Sequence, residues 1–363
     1  MGLLADTVFL NGQVITVNRS NDVVEALALK DNNIVYVGSN EGVKRFADDA
    51  AEVVDLTGRS LIPGFTDAHE HILVRGANEL GVDCRSPGVK SIEDIKRLIA
   101  ERAKITPKGE WIRGWGYDHS KLAEGRHPDR FDLDEAAPCH KVLISRVCCH
   151  IGAFNSRALK FADVPDNATE IAGSPVGQRN GMNNGVLFEK AYMEVIAKAR
   201  PTLDEMLDAL AVVNDMLLAE GITCCHDAGG HGASSMQAFQ RGVETKRIKV
   251  RLVTMLFALM GATADFSDLY IHSGICTGFG NDRLKLGPIK IMIDGSSSGP
   301  TAATLEDYTS MPGNRGLICL TQEYIDDVTM RAHMAGYQMT AHAVGDKGIT
   351  CKNARTPCTR PQR

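Results

Sequence analysis

Long apolar runs are missing from this chain. Of its 363 residues 44% are hydrophobic, yet no uninterrupted stretch approaches the ~20 residues that a membrane-spanning helix requires. The N-terminus, Met-Gly-Leu-Leu-Ala-Asp, has no basic segment followed by an apolar one, and Asp6 stands where a myristoylation signal needs Ser or Thr. A soluble protein without a membrane partner is expected. Excess charge is missing too: the net charge is −5 with both signs interspersed, which gives nucleic acid no basic face to bind. The ten cysteines include no Cys-x-x-Cys, so neither a disulfide scaffold nor a zinc finger is indicated. The adjacent pairs Cys148/Cys149 and Cys224/Cys225 lie in apolar stretches and read as buried free thiols in a reducing cytoplasm. Internal repeats and low-complexity tracts are absent. So is a phosphate loop, because Gly229-Gly230-x-Gly232 lacks both a following lysine and dinucleotide-binding spacing. This argues against a flavodoxin-like binding module.

What is present is length enough for two or three domains, or for one large α/β barrel with additions. Residues 6–18 and 25–38 are strand-rich, with Asn-Gly and Asp-Asn-Asn turn signals, and read as a small antiparallel β unit. Residues 77 to about 200 are the least regular part, punctuated by Gly, Trp and Pro, and read as an inserted subdomain that opens on a helix capped by Ser91 and Asp94. From Thr202 the rhythm changes. Helices near 202–218, 234–244 and 321–334 alternate with strands near 222–226, 250–256, 288–293 and 336–343. Such alternation predicts a parallel sheet covered by helices, open or closed into a barrel.

Several polar residues sit where apolar ones would be expected. In Asp67-Ala-His-Glu-His71, directly after Leu-Ile-Pro-Gly-Phe, strand alternation turns His69 and His71 to one side, about 6–7 Å apart. Converging neutral imidazoles are how a divalent metal site begins. In residues 289–294 the three isoleucines share one parity, leaving Lys290 and Asp294 to face a barrel interior. A lysine buried there must be paired, neutral or chemically used; pairing with a carboxylate is the structural alternative. His342 falls near the C-terminal end of its strand, where parallel barrels keep their chemistry.

The stretches LIPGFTDAHEH, GPIKIMIDGSSSGPTA and TAHAVGDKGI together resemble three signatures of the amidohydrolase superfamily, specifically its YtcJ-like branch of metal-dependent hydrolases. GVLFEKA, EGITCCHDAG and the segment from Gly114 to Leu159, which carries His150 before Asn155-Ser156, support the likeness over most of residues 6–349. The resemblance implies a (β/α)8-type TIM barrel, an α/β fold, with a small β-sandwich to which residues 1–60 contribute and a hydrolase domain over 61–349. It implies metal ligation by His69, His71, Lys290 and His342, with Lys290 able to be carboxylated and to bridge two metals. The cofactor would be one or two divalent ions, zinc first among them. The reaction would be hydrolysis of a non-peptide, amide-like C–N bond in a small molecule by metal-activated water. Lys290 and His342 would take part in catalysis; His150 and His226 would line the substrate pocket, buried structural histidine being the alternative for each, and Asp294 would line it or orient Lys290 or the loop after it. A homodimer is compatible with this reading. Trp111 and Trp115 are expected in the insertion core, and Asp346 at the turn after His342. Ser296, Ser297 and Ser298 have no assignable His/Asp partnership.

The sequence departs from that pattern after Asp346. ITCKNARTPCTRPQR has no acidic residue, four basic ones and two prolines, so no helix is expected there. The pattern's sixth-strand histidine and last-strand aspartate, the usual general base, cannot be placed. The barrel is therefore expected to be incomplete at its C-terminal end, with residues 350–363 an aberrant basic tail of a truncated product. The alternative to an active hydrolase is a non-catalytic fragment or regulatory relative.

Overall fold

The computed structural model describes residues 4–229, 233–258, 266–297 and 300–353, with Ala233, Lys352 and Asn353 as backbone only. Gly230, Gly232, Ser298 and the tail beyond 353 lie outside the described residues. The chain divides into two compact units, Met1–Phe65 and Thr66–Arg363. Among the described residues no helix is long and apolar enough to cross a membrane.

The first unit holds a four-stranded and a three-stranded sheet. Its central strand, Ala26–Lys30, shows why an ALAL run forms here: Ala26 and Ala28 turn to one apolar cluster with Val8 and Val43, and Leu27 to another with Val14 and Leu56. The predicted turns carry left-handed residues, Asn11 at φ 57° and Asn32 at 66°, a region Asn tolerates. The pairing is mixed rather than purely antiparallel, because Glu52–Asp55 runs parallel to Thr7–Leu10.

In the second unit five strands form one sheet in the order β1 to β5: β1 (Phe65–Glu70), β2 (Ile222–Asp227), β3 (Arg251–Phe257), β4 (Leu284–Met292) and β5 (Met339–His342). β2 through β5 are parallel, with Lys290 beside Thr340 and Met292 beside His342. The isoleucine parity is realised: Ile289, Ile291 and Ile293 pack with Ile325 and Ala332 of helix Gln322–Met334. Helix Leu203–Ala219 starts on a reciprocal cap. Thr202 accepts from the Glu205 N–H, and the Glu205 carboxylate takes the Thr202 N–H at 2.7 Å. Its Leu210, Val213 and Leu217 are buried in one cluster with Cys225, Phe239 and Leu252, each such side chain stabilising by roughly 1.5–3 kcal/mol.

The described residues make an open five-stranded sheet with β1 and β5 at its edges, as a barrel incomplete at its C-terminal end would. Two expectations need correction. The segment read as least regular contains a seven-stranded sheet, from Val82–Asp83 through Trp111–Tyr117 and Lys141–Arg146 to the hairpin strands Ser174–Arg179 and Met182–Phe188. Glycines hide these strands from a periodicity reading, yet the packing requires them: a Cβ on Gly152 would meet the Tyr192 ring at 2.4 Å. Finally, a helix does follow β5, over Asp346–Asn353. Asp346 accepts the Leu305 and Lys347 N–H groups, each at 2.8 Å, so capping and docking form a helix that apolar periodicity does not announce.

Candidate metal centre

β1 ends on the histidine pair. The His69 N–H donates to Asp67 Oδ1 at 3.0 Å, and at His71 (φ −117°, ψ 74°) the backbone leaves the strand for helix Ile72–Leu80. The two imidazole centroids are 5.5 Å apart, edge to face. Two imidazoles sharing one tetrahedral cation with metal–nitrogen bonds near 2.0–2.1 Å have centroids about 5 Å apart, so this spacing fits a shared divalent ion. The His69 imidazole is held below the usual histidine pKa by burial first and then by Lys290, with His342 acting in the same direction. It is thus kept in the neutral, ligating form, and Lys290 and His342 are both close enough to act on it.

Lys290 is only 5% exposed. Its Nζ donates to the Ala228 carbonyl at 2.6 Å, so a backbone oxygen receives it and not the carboxylate of the structural alternative. Burial lowers its pKa, against the pull of Asp227. Asp227 closes β2, is 1% exposed and was not singled out from sequence. Burial pushes its carboxyl up to about 6, although it accepts N–H bonds from Ile72 at 3.1 Å and Gly229 at 3.2 Å. An acidic residue at the C-terminal end of a predicted barrel strand was the signal available.

His342 Nε2 lies 2.9 Å from the Gly295 carbonyl and 3.9 Å from Asp294 Oδ1. Asp294 is fully buried and committed to backbone: Oδ1 accepts from Val344, and Oδ2 from Ala303 and Gly345. It ties the loops after β4 and β5 together, which fits the loop-orienting role expected of it and not the substrate-pocket one. His150 pairs through Nδ1 with Glu189 Oε2 at 2.9 Å. That pair approaches the end of β4, since the Cys319 thiol feels Asp294 as well as Glu189 and Lys190. His226 lies half-buried on β2, opposite Val253 of β3. Trp115 is not simply core: with His71, Arg75 and Arg85 it lines a cleft of about 360 Å³, and the Arg85 guanidinium stacks 4.4 Å from its ring centroid.

The structure sets His71 beside His69, and Lys290 and His342 near enough to act on the His69 imidazole. Among the described residues no three His, Cys, Asp or Glu side chains already converge as a complete ligand set. The donors fit a cation in kind and in the spacing of the first pair, and Lys290 and His342 are at present turned onto carbonyl oxygens.

A profile of the amidohydrolase family matches residues 52–356, most of the chain. The chain belongs to the amidohydrolase family. It is 26% identical over 361 residues to the N-substituted formamide deformylase of Arthrobacter pascens, covering 96% of this chain and 65% of that protein. It is 28% identical over 343 residues to the amidohydrolase YtcJ of Bacillus subtilis (strain 168), covering 92% and 63%. A solved structure described as a metal-dependent hydrolase from Pyrococcus furiosus shares the fold at a TM-score of 0.75 and 24% identity, over 95% of this chain and 69% of that one. This amidohydrolase-family chain spans 60–74% of the length of the curated relatives that it matches over more than nine-tenths of its own length.

Proposed function

We propose that the chain carries the metal-binding portion of an amidohydrolase that cleaves a non-peptide C–N bond in a small, amide-like substrate, an N-substituted formamide being the first class to test. The spacing of the His69 and His71 imidazoles at the end of β1, 5.5 Å between centroids, carries this reading; Lys290 and His342 lie near the C-terminal ends of β4 and β5, the end of a parallel α/β sheet where such folds keep their chemistry.

His69 and His71 would hold a divalent ion, zinc being the first candidate, with Lys290 and His342 completing its surroundings. When bound, such an ion supplies Lewis-acid charge and lowers the pKa of water. The chain's own residues do the rest. Burial keeps the His69 lone pair free of a proton. Burial also raises the neutral fraction of Lys290, the form of an amine that adds carbon dioxide to become an anionic carbamate. Asp227 fixes the turn that presents the Ala228 carbonyl to Lys290, through its bonds to the Ile72 and Gly229 N–H groups. Trp115 and Arg85 give a planar group a stacking surface beside His71.

One observation favours a non-catalytic relative as the second reading: Asp227 and Asp294 both accept backbone N–H groups, so neither is free to take a proton from water. Turnover of N-substituted formamides separates the two. The hydrolase reading expects release of formate that stops with a chelator, returns with zinc and is lost in His69→Ala. A folded, metal-loaded chain that turns over none of a panel of formamides and N-acyl amides supports the second.

A further inference from the structure

The connection between strand Lys141–Arg146 and strand Ile151–Phe154 carries Cys148 and Cys149 side by side. The chain's other adjacent pair, Cys224/Cys225, lies inside β2, where successive side chains leave on opposite faces. Cys225 is buried in the helix-facing cluster and Cys224 is only half-buried, so those two sulfurs are held apart by the strand itself. Cys148 and Cys149 are free of that constraint. The Cys149 N–H donates to the Arg146 carbonyl at 2.9 Å, and Cys149 has φ 59°. The chain folds back in a tight turn, so alternation no longer separates the side chains.

The surroundings of the turn gather the two thiols. Cys148 acts on the Cys149 thiol, and both act on the Tyr192 phenol, which is bonded to Ser145 Oγ at 2.6 Å. The Arg146 guanidinium stands against Cys148 while bonding Asp118 at 3.0 Å. Cys149 is exposed as a residue and Cys148 half-buried, contrary to the buried thiols expected from sequence. Burial around the Cys149 thiol pushes its pKa up.

We propose that Cys148 and Cys149 form a vicinal dithiol, a modification site that closes reversibly to a ring disulfide by exchange with a low-molecular-weight disulfide. The Cys148 sulfur, beside the Arg146 guanidinium, attacks one sulfur of the external disulfide, forming a mixed disulfide and expelling the first thiolate. The Cys149 sulfur then attacks Cys148 Sγ, closing the Cys148–Cys149 bond and expelling the second. The two protons lost by the cysteines go to the two expelled thiolates, so two protein thiols are oxidised and one external disulfide is reduced to two thiols. Neighbouring Cα atoms are ~3.8 Å apart, short of the usual disulfide span of roughly 4.4–6.8 Å. The ring is therefore strained, and strained disulfides are the easily reduced ones. That suits a reversible modification rather than a structural staple.

The test uses the full reduced chain treated with oxidised glutathione, trapped with iodoacetamide and mapped by mass spectrometry. The expected product is a peptide spanning 148–149 that has lost two hydrogens, formed about tenfold faster than any change at 224–225, and restored by reduced glutathione. Cys148→Ser and Cys149→Ser should block ring closure, Cys149→Ser stopping at a glutathione adduct on Cys148. Phenylarsine oxide, which needs two adjacent thiols, should protect both cysteines of the unmodified chain from alkylation, giving a readout that needs no variant. Wild-type chain that halts at the mixed adduct, or whose 148–149 thiols stay fully alkylatable after both treatments, overturns the proposal.

Discussion

Lys290 was visible as an anomaly because strand parity sets it on the face opposite three isoleucines, and the structure buries it there. Its partner was not visible, since a backbone carbonyl leaves no mark in a sequence; Ala228 supplies it. His69, His71 and His342 were legible from spacing and strand position. Asp227 was not, because its importance comes from burial and from two N–H donors contributed by other segments of the backbone. It also makes a prediction. Burial raises its pKa from 3.8 to about 6, so the fold favours the protonated form. Its contribution to stability is full below pH 3.8 and is lost as the pH rises through 6. A shift of that size corresponds to about 3 kcal/mol. Asp227→Asn cannot ionise, so its stability relative to the parent should rise by about that amount between pH 4 and 7 in metal-free denaturant titrations, whatever constant offset the amide brings. A difference that stays flat across that range contradicts the burial argument.

At the level of elements, capped helices were readable within a residue or two, because local chemistry decides them: Thr202 with Glu205, and Thr321 before helix Gln322–Met334; the isoleucines placed β4, which begins four residues earlier than expected. The sheet over residues 82–188 was not, since its strands are short and interrupted by glycines whose reason is tertiary. Helix packing holds a similar case. Gly76 lets helix Ile72–Leu80 meet helix Leu203–Ala219 so closely that an added Cβ would sit 2.1 Å from the Ala209 carbonyl oxygen. Gly76→Val should therefore cost roughly 1–3 kcal/mol or more by forcing the helices apart, read as a lower midpoint in thermal unfolding. An unchanged midpoint means the two helices are not in backbone contact.

For the whole molecule, the open sheet matters most. β1 and β5 are edges among the described residues, and Phe65 at the start of β1 is 55% exposed. Unpaired strand edges template association. Light scattering should show the mean mass rising with protein concentration, and Phe65→Lys should reduce the rise. A single mass at every concentration, unchanged by the variant, argues that the edges are covered. The parallel α/β architecture was legible from alternating elements, whereas closure of the sheet is a property of strand number and stagger that no local pattern contains.

The central claim is that His69, His71, Lys290 and His342 surround one cation-binding position, and metal content tests it most directly. Elemental analysis of the purified, folded chain after exposure to zinc and desalting should find about one to two equivalents per chain, as one or two ions at such a centre require. That content should fall to background in His69→Ala and drop in His342→Ala, with circular dichroism unchanged. A folded chain that retains no divalent metal, or one whose metal content is indifferent to both substitutions, contradicts the account.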